Sequence, residues 1–89
     1  MSYEGGSYRT YNPRPQFRVG QKVRISSSND NEGYRGFRGK TLVITHIATN
    51  RDEHAGYDEG VGGGLYDLKV KKSGREVPFS LYDYELEGA

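Results

Sequence analysis

Cations and aromatic rings are the residues of this chain whose types and spacing could do chemistry together. Arg35 and Arg38 flank Phe37 inside Gly33-Tyr-Arg-Gly-Phe-Arg-Gly39. Lys22 and Arg24 alternate with Val23 and Ile25, and Lys69 and Lys71 alternate with Leu68 and Val70. Guanidinium and ammonium groups neutralise phosphates, and an exposed ring beside them offers a face on which a base can stack. Lys22, Arg24, Arg35, Phe37, Arg38, Lys69 and Lys71 therefore form a candidate nucleic-acid-binding set. The same residues have a plainer reading, in which Phe37 plugs one end of a core and the charges are a solvated face.

The net charge of +1 conceals a strong segregation. Arg9, Arg14, Arg18, Lys22, Arg24, Arg35, Arg38 and Lys40 are opposed up to that point only by Asp30 and Glu32 within their own stretch. Residues 52–67 then carry five acids and no Lys or Arg. Lys69, Lys71, Lys72 and Arg75 restore positive charge, and Glu76, Asp83, Glu85 and Glu87 reverse it again. Such blocks can build a basic surface on a nearly neutral chain. They can also cancel if folding interleaves them across strands.

Other chemistry is poorly provided for. There is no cysteine, so disulfides, thiolate metal sites and a thiol nucleophile are excluded. His54 lies among Asp52, Glu53, Asp58 and Glu59, but the spacing matches no metal-ligand pattern and reads as a solvated acidic loop. His46 falls within a strand pattern and reads as structural. Residues 29–33 resemble a calcium loop in composition alone. Residues 26–28 are serines with no base or orienting acid nearby in sequence. The glycines of 33–39 lack the Gly-Lys-Ser/Thr ending and the following helix of a phosphate loop. The expectation is a non-catalytic protein with no metal and no cofactor.

With 89 residues the chain has room for one small domain, and with 33% hydrophobic residues its core is too thin to enclose a substrate. No apolar run approaches the roughly 20 residues of a membrane span, and Met1-Ser-Tyr-Glu-Gly-Gly has no signal-peptide core. A cytoplasmic monomer without membrane association is expected.

These residues need strands to position them. Residues 1–16, with Gly5-Gly6, two prolines, three tyrosines and two arginines, show no hydrophobic periodicity and read as a disordered arm. The folded part, 17–89, opens with a bend at Gly20 and a half-buried strand of period two through Ile25. The β-branched run 40–47 predicts a strand touching apolar groups on both faces. Residues 50–64 form a long Gly-rich acidic loop, of a length that is often functional or mobile. Tyr66, Leu68 and Val70 alternate in another strand, and 72–75 make a hairpin turn. Val77, Phe79 and Leu81 share one phase of an edge strand containing Pro78. One 3₁₀ turn at 81–84 leads to a closing strand at 85–86. The predicted core is Val23, Ile25, Leu42, Ile44, Leu68, Val70, Val77, Phe79 and Leu81.

The pattern resembles a small all-β, SH3-like five-stranded barrel. Phe17-x-Val-Gly-Gln-Lys-Val-Arg-Ile25 followed by Gly33-Tyr-Arg-Gly-Phe-Arg-Gly39 is similar to the opening of a KOW motif. Gly74-Arg-Glu-Val-Pro-Phe-Ser-Leu81 is similar to the C-terminal half of the NusG-type KOW domain. The likeness covers residues 17–87. It implies a module of transcription or translation assemblies, with Gly20, Gly36, Gly39, Gly74 and Pro78 as scaffold and Arg35, Phe37 and Arg38 as contact positions. The loop before Gly36 is longer than that family's, and 50–64 is an insertion relative to it. Val19-Gly-Gln-Lys-Val-Arg-Ile25 also resembles the first strand of PsaE-type SH3-like subunits, which dock proteins. The expected partner is RNA, DNA or a ribonucleoprotein or transcription complex. The alternative is a protein-docking subunit, or a small inhibitor or accessory protein of a larger complex, using Tyr34, Tyr57, Tyr66, Tyr82 and Tyr84 with the acidic loop.

Overall fold

A computed structural model describes residues 14–29 and 31–89. The expected arm thus lies outside the described residues except for its last three. Alternating apolar and polar side chains produce five strands: β1 Lys22–Ile25, β2 Leu42–Ala48, β3 Leu65–Val70, β4 Leu81–Tyr82 and β5 Leu86–Gly88. Two 3₁₀ turns, Glu32–Phe37 and Asp83–Glu85, complete the described elements. The strands form one antiparallel sheet in the order β4-β3-β2-β1-β5. No helix among the described residues is long and apolar enough to cross a membrane.

The all-β expectation holds, but the closed barrel does not form. Among the described residues no ladder joins β4 to β5, the two edges of the sheet. The reason is the chain path. β4 is two residues long, and the Asp83–Glu85 turn carries the backbone from one edge directly to the other. Those segments follow one another instead of lying side by side. In a flat sheet four gaps of about 4.8 Å would hold the edges roughly 19 Å apart. Tyr82 to Leu86 spans at most about 14 Å even when extended. The sheet must therefore curl, with its edges near each other and unpaired.

Curling wraps the sheet around the main core. Val23, Leu42, Ile44, Tyr66, Leu68 and Leu81 are fully buried there, joined by Phe17, Ile25, Phe37, Val70, Val77 and Leu86. Eight of the nine expected core residues are buried, and Phe79 is half-buried against Tyr34 and Phe37. The expected strand at 77–81 is interrupted. Glu76 bridges Lys69 and Val77 N–H donates to Leu68 C=O, but pairing resumes only at Leu81. Pro78 sits in the gap with no N–H to offer.

A bulge in β2 sets up a second, smaller core. Ile44 pairs with Leu68 and His46 with Asp67, so Thr45 is the extra residue. The shift lets Ile47 join Ile44 at the main core and sends Ala48 to the opposite face. There Ala48 packs with Leu65, Tyr57 and Tyr82. Residues 50–64 supply Tyr57 and so cover that face, which gives β2 its contacts on both sides.

Candidate functional site: a basic end opposite an acidic aromatic end

The antiparallel registers decide where the charges go. Leu42 pairs with Val70 at one end of the β2–β3 ladder, and Ala48 with Leu65 at the other. Lys40 precedes β2 and Lys71 and Lys72 follow β3, so all three gather at the first end. Arg24 reaches the same end because β1 runs opposite to β2, with Val23 against Leu42.

Two shallow clefts occupy this end. One, of about 540 Å³, is lined by Gly39, Lys40, Thr41, Val70, Lys71, Lys72 and Ser73. The other, of about 510 Å³, is lined by Arg24, Ile25, Ser27, Arg38, Gly39 and Glu87. Gly39 belongs to both, at φ +76°, a left-handed conformation that side chains disfavour. The clefts thus meet over a bare backbone ringed by five cations. Arg24 Nε donates to Glu87 Oε2 at 2.7 Å, and this is the one ion pair among the described residues of the clefts. Arg24 and Ser27 N–H together hold the Glu87 carboxyl below its ordinary range. Arg38 Nη2 donates to Asn31 C=O. Lys40, Lys71 and Lys72 are exposed, with no carboxylate within ion-pair distance among the described residues.

Most of the expected set belongs to this surface. Lys22 and Lys69 flank Val43 across three adjacent strands, on the face away from the main core. Arg24 and Lys71 continue the same phase toward the clefts. Arg35 is exposed on the 3₁₀ turn but lines neither cleft. Phe37, expected either as a stacking platform or as a plug of the core, lies in the main core. It is 7% exposed, with Phe79 edge-on at 5.5 Å and the Arg75 guanidinium 5.4 Å over its ring. A ring covered in this way serves the core. Lys40 and Lys72 were missing from the expected set. Their signal was their place just outside two strands that pair, which puts strand-flanking residues together once the register is known.

The opposite end is acidic and tightly bonded. Glu53 Oε1 accepts Thr49 N–H at 2.7 Å and Thr49 Oγ1 at 3.1 Å, which lowers its pKa from the usual value. Buried Tyr57 donates to Gly63 C=O, and Arg51 Nε donates to Tyr57 C=O. Asp83 is a junction. It accepts Gln16 N–H at 3.2 Å, Gly64 N–H at 3.0 Å and the Tyr66 hydroxyl. The Tyr66 hydroxyl in turn accepts Phe17 N–H. Gly63 takes φ +68°, and a Cβ there would meet the Asp83 carboxylate, so the position favours glycine. The stretch read from sequence as a long structureless loop is a set of turns closed over its own tyrosine.

A Ser/His/Asp group links this loop to the sheet. Ser80 Oγ donates to Asp67 Oδ1 at 2.5 Å and lies 3.3 Å from His54 Nε2, while Asp67 Oδ2 is 3.4 Å from His46 Nδ1. His54 Nδ1 accepts Gly56 N–H at 3.0 Å, so in the neutral ring the hydrogen sits on Nε2 and points at Ser80. That polarity leaves no lone pair on His54 to take the serine proton. The chain of donors ties elements together. Among the described residues no group of three or more His, Asp or Glu side chains is arranged to hold a metal ion.

No protein-family model matches this chain, and no curated protein or solved structure matches it.

Proposed function

We propose that this domain is a non-catalytic module that binds a nucleic-acid backbone at its basic end, within a ribonucleoprotein or transcription complex. The observation that carries the reading is the convergence of Arg24, Arg38, Lys40, Lys71 and Lys72 on two clefts that meet at Gly39. Lys22 and Lys69 extend the positive surface along the outer face of the sheet. Shallow, open clefts suit phosphates passing across a surface, and a glycine at their junction permits close approach of the backbone. With Phe37 in the core, affinity comes from phosphate neutralisation and not from base stacking. The SH3-like, KOW-type reading, and with it the assignment to such assemblies, rests on the sequence resemblance at residues 17–25, 33–39 and 74–81.

The test is a titration of mixed-sequence single-stranded RNA and DNA against salt. Binding should weaken with a log–log slope of about −0.7 per phosphate contacted. The double variant Lys71→Ala, Lys72→Ala should lose about one to two contacts from that slope and leave the urea midpoint unchanged. Absence of binding below roughly 100 µM at low salt, or a double variant indistinguishable from the parent, sinks the proposal.

A further inference from the structure

We propose that the Tyr82–Tyr84 ring pair, with the Asp58 and Glu85 carboxylates beside it, is a second docking surface that takes an arginine or lysine side chain of a protein partner. This surface stands independently of the nucleic-acid reading.

Tyr84 is 69% exposed, more than any other exposed large hydrophobic side chain among the described residues, whereas Tyr57 and Tyr66 are buried. Its ring lies nearly parallel to that of Tyr82, at 12° with centroids 6.2 Å apart. Tyr82 is held before any partner arrives. Its hydroxyl accepts Asp58 N–H at 2.8 Å and donates to Gly56 C=O at 3.3 Å. Its backbone N–H donates to Glu85 Oε1 at 2.9 Å, and its ring rests against Tyr57 at 6.2 Å. A platform built this way loses little conformational entropy on binding.

The electrostatics select the ligand. Asp58 N–H meets the Tyr82 hydroxyl and Glu85 Oε1 the Tyr82 N–H, so two acidic residues neighbour the ring pair, and burial and then Glu85, Tyr82 and Asp58 push the Tyr84 hydroxyl up from its ordinary value. An aromatic face attracts cations, and carboxylates at its rim strengthen that attraction while repelling phosphate. Asp58 Oδ1 accepts the Gly60 N–H, and Glu85 accepts the Tyr82 N–H on Oε1 and the Tyr34 hydroxyl on Oε2, each oxygen keeping a further lone pair. Arg51, on the same loop, is turned to the Tyr57 carbonyl. Tyr82 pairs with Leu65, roughly 20 Å along the ladder by strand rise from the cleft of Lys40, Lys71 and Lys72, while the chain returns within three residues from Tyr84 to Glu87 in the Arg24 cleft.

The probe is an acetylated and amidated Gly-Arg-Gly-Arg-Gly peptide, titrated into the ¹⁵N-labelled full chain at low salt. Amide shifts should be confined to residues 56–60 and 82–85. Tyr84→Ala should weaken the binding about three- to fivefold, as expected for an exposed cation–π contact. The same peptide with citrulline for arginine should bind no better than the Tyr84→Ala variant. Tyr84→Ala should leave the melting curve and oligonucleotide affinity unchanged, and Lys71→Ala, Lys72→Ala should leave peptide binding unchanged. Four results overturn the proposal: no shifts at millimolar peptide, equal binding of the citrulline peptide, loss of oligonucleotide affinity in Tyr84→Ala, or concentration-dependent self-association abolished by Tyr84→Ala. The third would make Tyr84 a base platform and the fourth a contact between copies of this chain.

Discussion

The two ends of the β2–β3 ladder use charge in opposite ways. At the end that carries residues 50–64, carboxylates hold the fold together. Glu53 binds Thr49, Asp67 binds Ser80, and Asp83 gathers donors from Gln16, Gly64 and Tyr66. At the Gly39 end, Lys40, Lys71 and Lys72 bind nothing charged among the described residues, and Glu87 engages Arg24, the Ser27 backbone and the Ser26 side chain. The asymmetry follows from chemistry. A carboxylate is a compact acceptor that satisfies the many N–H groups of a turn-rich loop. A lysine ammonium is strongly hydrated on a long stem and gains little from such contacts. Glu53, Asp67 and Asp83 are therefore absorbed into structure, and Lys40, Lys71 and Lys72 remain for a partner.

Four experiments break or sharpen this contrast. The largest effect is expected from Phe37→Ala, beneath the basic end. It should cost about 3–5 kcal/mol of stability, seen as a large fall in the urea midpoint. Oligonucleotide affinity measured where the variant is still folded should change little. A stable variant that binds poorly would return Phe37 to the binding surface.

Asp83→Asn comes next. An amide offers one acceptor oxygen and brings a donor of its own to a place where three donors converge. A loss of about 1–3 kcal/mol is expected, since a part-buried donor goes unpaired. Oligonucleotide binding should persist, and an unchanged melt would mean that the junction is not structural.

A smaller effect is expected in alkali. Burial, and then the hydrogen bond to Glu85, push the Tyr34 phenol up to about 12 from 10.0. Burial and Asp83 move Tyr66 in the same direction. The unfolded chain loses these protons first. Their contribution is therefore complete below pH 10 and shrinks as pH climbs toward 12. Urea midpoints followed through that window should fall, and Tyr34→Phe should flatten the fall. A midpoint independent of pH there would deny the coupling.

The smallest change is Glu87→Gln. The pair is exposed, so stability should not move measurably. Releasing Arg24 should instead raise oligonucleotide affinity and steepen the salt slope by about one contact. Lower affinity would mean that Glu87 positions Arg24 for the ligand.

How much of this was legible beforehand depends on the range of the interactions. Alternation over two residues made the inner faces of β1 and β3 readable, because side-chain direction in a strand is local. The same holds for the 72–75 turn, where Gly74 takes φ +76°, and for a 3₁₀ turn just before the last strand. Pro78 warned of a weak ladder and produced an interrupted one. The fate of Phe37 was undecidable from its neighbours, since an aromatic between two arginines reads as exposed until Phe79 and Arg75 arrive from some 40 residues away to cover it. The Asp83 junction joins residues 16, 64 and 66 to residue 83, and no spacing rule connects them.

By itself, then, the sequence determined a strand-rich domain, its apolar faces, its turns and the existence of segregated charge blocks, all set by contacts within a few residues. Only the tertiary structure decided that the sheet curls without closing and that residues 50–64 bury their own tyrosine. It alone decided that Lys40, Lys71, Lys72, Arg24 and Arg38 meet around Gly39. Those outcomes depend on strand register and on which edge the chain returns to, and both are fixed by the joint packing of the whole core.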